Sequence, residues 1–307
     1  MREQFIKTLL EYAKKNPDIV LITGDLGYGL FEEFKNAVPQ QFINSGINEQ
    51  TMMGMAAGYA STGKRVFVYS IANFVTFRCL EQIRNDIGLM NNSVVIVGVG
   101  GGYDYGSQGY THHAIEDISV IRSITNIEVL VPADSIETKA LTRYLANTNK
   151  PSYFRLEKSN NLILHQNELG LFPGKINEII SGEHGSLIFS GSIGEIAVQA
   201  AKELKALGIF VSVASLSFIT NIDSNYIKLA AERGPIVIIE EHSLNGGVGS
   251  AILEQLNSLA LTAKIGIIAS TQNNLSEIGD QQFLRHQNGL NVDNIIKKFK
   301  ALLEFLD

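Results

Sequence analysis

The sequence predicts an α/β protein of two parallel-sheet, three-layer domains. Three observations lead there. The chain has 307 residues, too many for one ordinary core and comfortable for two domains of about 100–200 residues each. Short unbroken apolar runs alternate with amphipathic segments along its length, the pattern of parallel strands covered by helices on both faces. The rhythm weakens once, from Leu162 to Gly185, where Pro173, Gly174 and Gly182 fall. That break divides a domain over 1–165 from a smaller one over 186–307, with a linker at 166–185.

The elements follow in order. Gln4 to Lys15 places Phe5, Leu9, Leu10 and Tyr12 on one face and reads as a helix. Asp18 to Thr23 reads as a buried strand ending in Gly24-Asp25-Leu26-Gly27, where glycine permits a sharp turn. Gln41 to Ser45 is a short strand. The helix Glu49 to Ala60 carries Gly54, Ala56, Ala57, Gly58 and Ala60, small enough for another element to approach very closely. Strand Arg65 to Tyr69, helix Asn73 to Met90 and strand Ser93 to Val99 follow. A polar loop from Gly100 to Thr111 leads to helix Glu116 to Ser123, strand Glu128 to Val131, helix Ser135 to Asn147 and strand Ser152 to Leu156. The second half alternates likewise: strands Ser186 to Phe189, Val211 to Ala214, Ile236 to Glu240 and Lys264 to Ala269, with helices Glu195 to Leu207, Tyr226 to Arg233, Val248 to Ser258 and Asn294 to Phe305.

Composition narrows the function. Lys+Arg 25 against Asp+Glu 31 gives a net charge of −6 with no block of like charge, which disfavours nucleic acid and anionic membranes as partners. The single cysteine, Cys79, excludes an internal disulfide framework and a thiolate zinc site. No apolar run is long enough to span a bilayer and Arg2-Glu3 opens an amphipathic segment, so the expectation is a soluble cytoplasmic protein. The 28 glycines against 6 prolines suggest many close backbone approaches.

Open α/β sheets bind ligands beyond the carboxyl ends of their strands, and three such loops carry reactive residue types. Gly46-Ile47-Asn48-Glu49-Gln50 sets an acid at a helix start, where by itself an acid is the ordinary complement to the helix dipole. Asn73-Phe74-Val75-Thr76-Phe77 opens a helix with two aromatics, residues that alone read as core. Ser107-Gln108-Gly109-Tyr110-Thr111-His112-His113 holds adjacent histidines, which suit one pocket histidine and one outward neighbour better than a metal site. The glycine runs Gly98 to Gly102 and Gly246-Gly247-Val248-Gly249 lack the spacing and context of a dinucleotide fingerprint.

Taken in order, these pieces resemble the C-terminal section of transketolase over essentially the whole chain. Gly24-Asp25-Leu26 is similar to the family's loop after its first strand, and Gly46-Ile47-Asn48-Glu49-Gln50 to the stretch whose acid faces the thiamine diphosphate aminopyrimidine. Asn73-Phe74-Val75 and Phe77 resemble the segment that holds that ring. Thr111-His112-His113 resembles the Thr-His-Gln or Thr-His-His of transketolases and deoxyxylulose phosphate synthases. Val131-Pro132-Ala133-Asp134 and Pro151-Ser152-Tyr153-Phe154-Arg155 resemble the family's later turn and its strand with a substrate-phosphate arginine. Glu240-Glu241-His242 and Gly246-Gly247-Val248-Gly249 resemble its small C-terminal domain.

The resemblance implies a pyrimidine-binding domain followed by a transketolase C-terminal domain, and a two-carbon ketol transfer from a ketose to an aldose. Glu49 would hydrogen-bond the cofactor's pyrimidine and drive its activation. Phe74 would stack on the ring, Phe77 would line the same pocket and Asp25 would lie near it. His112 and Gln108 would meet the substrate, and Arg155, with Arg2, would pair with a sugar phosphate. Two departures accompany the match: Gln108 stands where an acid is usual, and Gly100 and Gly29 stand where His and Ser contact phosphate. The sequence also contains no Gly-Asp-Gly, the family's diphosphate and metal motif. A separate N-terminal subunit would supply that motif and its Mg or Ca ion, and the glycine- and alanine-rich helix after Glu49 would pair with its own copy in a heterotetramer. The rival readings are the beta subunit of a 2-oxoacid dehydrogenase, which Gly106-Ser107-Gln108 also resembles, and a non-catalytic regulatory partner that keeps the fold.

Overall fold

The computed structural model describes residues 1–158, 163–170, 173–272 and 275–304. Helix α1, Arg2–Ala13, leads into β1, Ile19–Thr23. Helix α2, Glu32–Ala37, absent from the sequence reading, precedes β2, Phe42–Asn44. There follow α3, Glu49–Ser61; β3, Arg65–Ile71; α4, Ala72–Phe77; a short α5, Leu80–Gln82; and β4, Val94–Val99. Helix α6, Asp117–Arg122, β5, Glu128–Leu130, α7, Ser135–Asn147, and β6, Ser152–Leu156, complete the first half. The six strands form one parallel sheet in the order β2-β1-β3-β4-β6-β5.

That order reverses between β1 and β3. The loops leaving β1, β2, β3 and β4 therefore open at the same carboxyl edge, beside the crevice where open sheets bind ligands. Aromatic packing holds the sheet's outer face: Phe5 of α1 lies 6.0 to 6.3 Å from the rings of Phe67, Tyr69 and Phe154. Each fully buried side chain of this kind contributes roughly 1.5–3 kcal/mol.

The second sheet is mixed rather than wholly parallel. Strand β7, Asn177–Ile180, lies inside the segment expected to be linker and pairs antiparallel with β9, Ser212–Ser215. Strands β8, Ser186–Ser190, β10, Ile236–Ser243, and β11, Ile265–Ser270, complete the order β11-β10-β8-β9-β7. Only four residues long, β7 carries too little apolar periodicity to show in the sequence. Helices α8, Gly194–Ala206, α9, Ser224–Arg233, α10, Val248–Ser258, α11, Gln281–Gln287, and α12, Val292–Glu304, cover it. Helix α11 has no counterpart in the sequence reading, and Phe305 of the expected closing helix, like Leu162, lies outside the described residues. One apolar core runs unbroken from Met52 and Ala56 of α3 through Leu216 and Ile219 to Ile252 of α10, so the two domains are packed together.

The expected single helix Asn73 to Met90 is broken. After α4 the chain passes through Arg78 and Cys79, whose φ is −109°, and then a π-helical turn at Ile83–Leu89. Gly88 in that turn has no room for a side chain, since a Cβ would come within 2.8 Å of Ile124. Packing against the segment before β5 therefore outweighs regular helix geometry here, and the break sets Arg78 at the mouth of the crevice.

The glycine surplus divides into two uses. At Gly98 and Gly101 a Cβ would collide with Tyr153 and Arg155 respectively, so the loop after β4 passes directly over β6. At Gly54 and Gly58 of α3 a Cβ would meet nothing within 4 Å. Among the described residues no element packs on those two positions, contrary to the close contact expected from their size.

Candidate active site

Three loops of the first sheet build one cleft. Asn73, Phe74, Phe77 and Arg78 come from the segment after β3, and Tyr110, Thr111, His112, His113 and Glu116 from the loop after β4; together they line a cleft of about 530 Å³. Glu49, which follows β2 as the first residue of α3, is buried at 7% exposure beside this opening. The Arg78 Nη1 donates to Glu49 Oε2 at 3.3 Å, and the same guanidinium lies over the Phe74 ring, 3.8 Å from its centroid. Gln50 Nε2 donates to the Arg78 carbonyl at 2.8 Å and fixes the backbone there.

His112 sits against Phe74 edge to face, with ring centroids 5.0 Å apart, and 6.3 Å from Tyr105 on its other side. Its Nδ1 is 3.0 Å from Thr111 Oγ1, and Asn73 holds the loop by donating to the Thr111 carbonyl. Burial, reinforced by the Arg78 charge, lowers the His112 pKa, which keeps the ring neutral at pH 7. Glu116 accepts from Tyr110 Oη at 3.1 Å and from Gln272 Nε2 at 2.9 Å, and burial raises its pKa.

The expected site residues divide. Glu49, Phe74, Phe77 and His112 converge, with Phe77 at the rim and 40% exposed. Asp25 lies in the loop after β1 at φ 56°, where its carboxylate accepts from Asn44 Nδ2 at 2.9 Å. Gln108 is exposed in a 3-10 turn at Gly106–Gln108. Arg2 is turned to the end of β6, its Nε donating to the Lys158 carbonyl at 2.7 Å.

Arg155 is not in the cleft. It is 3% exposed, and its guanidinium donates to Asp117 Oδ2 at 2.9 Å and to the carbonyls of Ala114 and Glu241 at 2.9 and 3.0 Å. These bonds hold it inside, tying β6 to the loop after β4 and to β10 of the second sheet. The structure thus presents Arg155 as an interdomain tie rather than as a phosphate contact. His113 also departs from expectation. Rather than pointing outward it is 2% exposed and packs edge to face on Tyr103 at 5.2 Å.

Sequence reasoning missed Arg78, Tyr105, Glu116 and Gln272. A cation directly after Phe77 was a signal for Arg78, since guanidinium groups favour aromatic faces. Gln272 arrives from the second domain, and no local pattern announces it.

Known proteins share this arrangement of domains. Residues 1–162 match the model of the transketolase pyrimidine binding domain, and residues 174–295 that of the transketolase C-terminal domain. The chain belongs to the transketolase family. One of the two subunits of an apulose-4-phosphate transketolase from Phocaeicola vulgatus is 34% identical over 99% of this chain and 97% of its own length. A 6-deoxy-6-sulfo-D-fructose transketolase subunit from a Clostridium species is 28% identical over 99% and 94%. A solved "Split gene transketolase, inactive beta4 tetramer" superposes with a TM-score of 0.91 at 31% identity, covering 99% of this chain and 98% of that one.

Transketolases use thiamine diphosphate, and the cleft of this transketolase section fits the pyrimidine half of it. A buried carboxylate, a flat aromatic face and a neutral histidine converge on a cleft wide enough for a ring. The diphosphate half has no counterpart: the sequence lacks Gly-Asp-Gly, and among the described residues no three His, Cys, Asp or Glu gather as metal ligands. No described helix is long and apolar enough to cross a membrane.

Proposed function

We propose that the chain is the pyrimidine-binding half of a two-chain transketolase that moves a two-carbon ketol unit from a ketose, free or phosphorylated, to an aldose. The observation that carries the reading is the convergence of Glu49, Phe74 and His112 on a cleft with no diphosphate or metal set of its own. A separate chain with Gly-Asp-Gly and a downstream Asn supplies that set and a Mg or Ca ion. Two copies of this chain pair within a heterotetramer, with the open face of α3 at Gly54 and Gly58 as the contact. The cytoplasm is the proposed compartment, consistent with a lone cysteine.

When bound, thiamine diphosphate supplies the nucleophilic carbon and the electron sink. The rest falls to this chain. Glu49 accepts a hydrogen bond from the pyrimidine edge and fixes where its proton resides. Phe74 sets the ring plane, Phe77 closes the rim and excludes water, and Asp25 borders the pyrimidine end. The neutral His112, held by Thr111, can both donate to and accept from a sugar hydroxyl. Gln108, exposed at the entrance, offers an amide to the acceptor in place of a carboxylate, which suits an acceptor other than an ordinary pentose phosphate.

The test is reconstitution with the chain that carries Gly-Asp-Gly. Two-carbon transfer from ketose phosphates to aldoses is expected only from the pair. Full activity from this polypeptide alone, or decarboxylation of 2-oxo acids with no ketol transfer, overturns the reading.

A further inference from the structure

Arg78 makes two contacts that duplicate those asked of an aminopyrimidine. Its planar guanidinium lies 3.8 Å from the Phe74 centroid, a stacking distance, and its edge donates to the Glu49 carboxylate at 3.3 Å. Guanidinium is flat, delocalised and weakly hydrated, so it can use an aromatic face and a carboxylate together. An aminopyrimidine ring seated for catalysis needs the same face and the same carboxylate.

We infer that Arg78 stands in for the cofactor's pyrimidine in the free chain and must leave the Glu49–Phe74 gap when the cofactor binds. The inference rests on the pyrimidine-binding reading above. The anatomy suits a displaceable plug. Gln50 pins the Arg78 backbone at 2.8 Å, so the chain need not move, while the side chain is 50% exposed and can swing into solvent. The helix break after Phe77 puts the side chain there; a regular helix through Met90 would carry residue 78 around a different course.

An internal competitor lowers apparent affinity by the fraction of molecules it occupies. A half-exposed stack and a half-exposed ion pair are each worth up to about 1 kcal/mol. Removing both competing contacts is expected to tighten cofactor binding about tenfold, equivalent to about 1.4 kcal/mol.

The experiment is calorimetric titration of thiamine diphosphate into the complex of this chain with its diphosphate-binding partner. Arg78→Ala and Arg78→Met are each expected to bind about tenfold more tightly than the unsubstituted complex. The Arg78 Nε–H NMR signal is expected to shift to fast, solvent-like exchange as the cofactor saturates the unsubstituted complex. Unchanged or weaker binding in both variants overturns the inference, as does an Arg78 Nε–H that remains protected with the cofactor bound. Glu49→Gln and Phe74→Ala separate this from the underlying reading. If neither weakens binding, or the unsubstituted complex does not bind the cofactor, the pyrimidine assignment itself has failed, and the stand-in with it.

Discussion

The open cleft and the buried domain junction both concentrate charged side chains near the carboxyl edge of the first sheet, but they hold them differently. In the cleft, Glu49 is paired with a half-exposed Arg78, and His112 has one ring face on Phe74. At the junction, Arg155, Asp117, Glu241 and Arg285 bond to one another or to carbonyls with almost no exposure. Weakly held groups beside an opening can exchange partners with a ligand. Groups satisfied on every side cannot do so without first leaving an unpaired buried charge, which is costly. Residue type alone therefore does not separate a binding arginine from a structural one; the partners do.

The largest effect that would break this contrast lies in the cleft. Glu49→Ala, assayed in the reconstituted pair, is expected to lower turnover by about 10²–10⁴-fold while its thermal midpoint stays near that of the unsubstituted chain. Near-normal turnover removes Glu49 from catalysis. Next comes the junction. Arg155→Met leaves Asp117 without its cation and is expected to cost about 3–5 kcal/mol in denaturant unfolding. A stable variant with a raised KM for phosphorylated sugars would instead restore Arg155 as a ligand contact.

His242 sharpens the contrast through pH. It is fully buried, with its Nδ1 2.8 Å from the Ser243 carbonyl and its Nε2 accepting from the Ser119 N–H at 3.3 Å. That pattern fits a neutral ring with its proton assigned to Nδ1, and burial pushes its pKa down to about 4. The unfolded ring titrates near pH ~6.5, so its contribution is fully present above that pH and is lost as pH falls toward 4, about 3 kcal/mol in all. Burial of Glu240 and Asp104, each raised to about 7, acts in the opposite sense. The measurement is consequently a difference: the stability gap between the unsubstituted chain and His242→Gln, followed by denaturant unfolding, should shrink between about pH 6.5 and 4. A constant gap rules out the buried neutral histidine. The smallest effect is expected at the exposed edge of the same junction. Glu254→Ala breaks an ion pair with Arg122 whose acid is 65% exposed, and unfolding should register less than about 1 kcal/mol.

Much of the first sheet was legible because its strands are buried on both faces and read as continuous apolar runs; Ser135–Asn147 and Ser152–Leu156 match their expected spans residue for residue. The glycine run Gly246-Gly247-Val248-Gly249 was rightly set apart from nucleotide loops. Glu240 accepts from the N–H groups of Val248 and Gly249 at 2.6 and 2.9 Å, and a Cβ at Gly247 would lie on that carboxylate. Less legible were the elements whose form depends on neighbours: β7, which exists by pairing with β9, and the break at Cys79, imposed by packing near Ile124.

For this protein, local pattern determined the two-domain α/β architecture, the succession of most strands and helices along the chain, and which loops would carry Glu49, Phe74 and His112. Periodicity and motif spacing are properties of short stretches of chain, and those features are short-range. The directions of Arg155 and Arg78 were decided in three dimensions. One is turned inward by Asp117, 38 residues earlier, and by Glu241, 86 residues later; the other is drawn across the cleft by Glu49, 29 residues before it. A side chain's charge is written in the sequence, but the partner that satisfies it is chosen by the fold, and that choice separates an arginine that binds from one that braces.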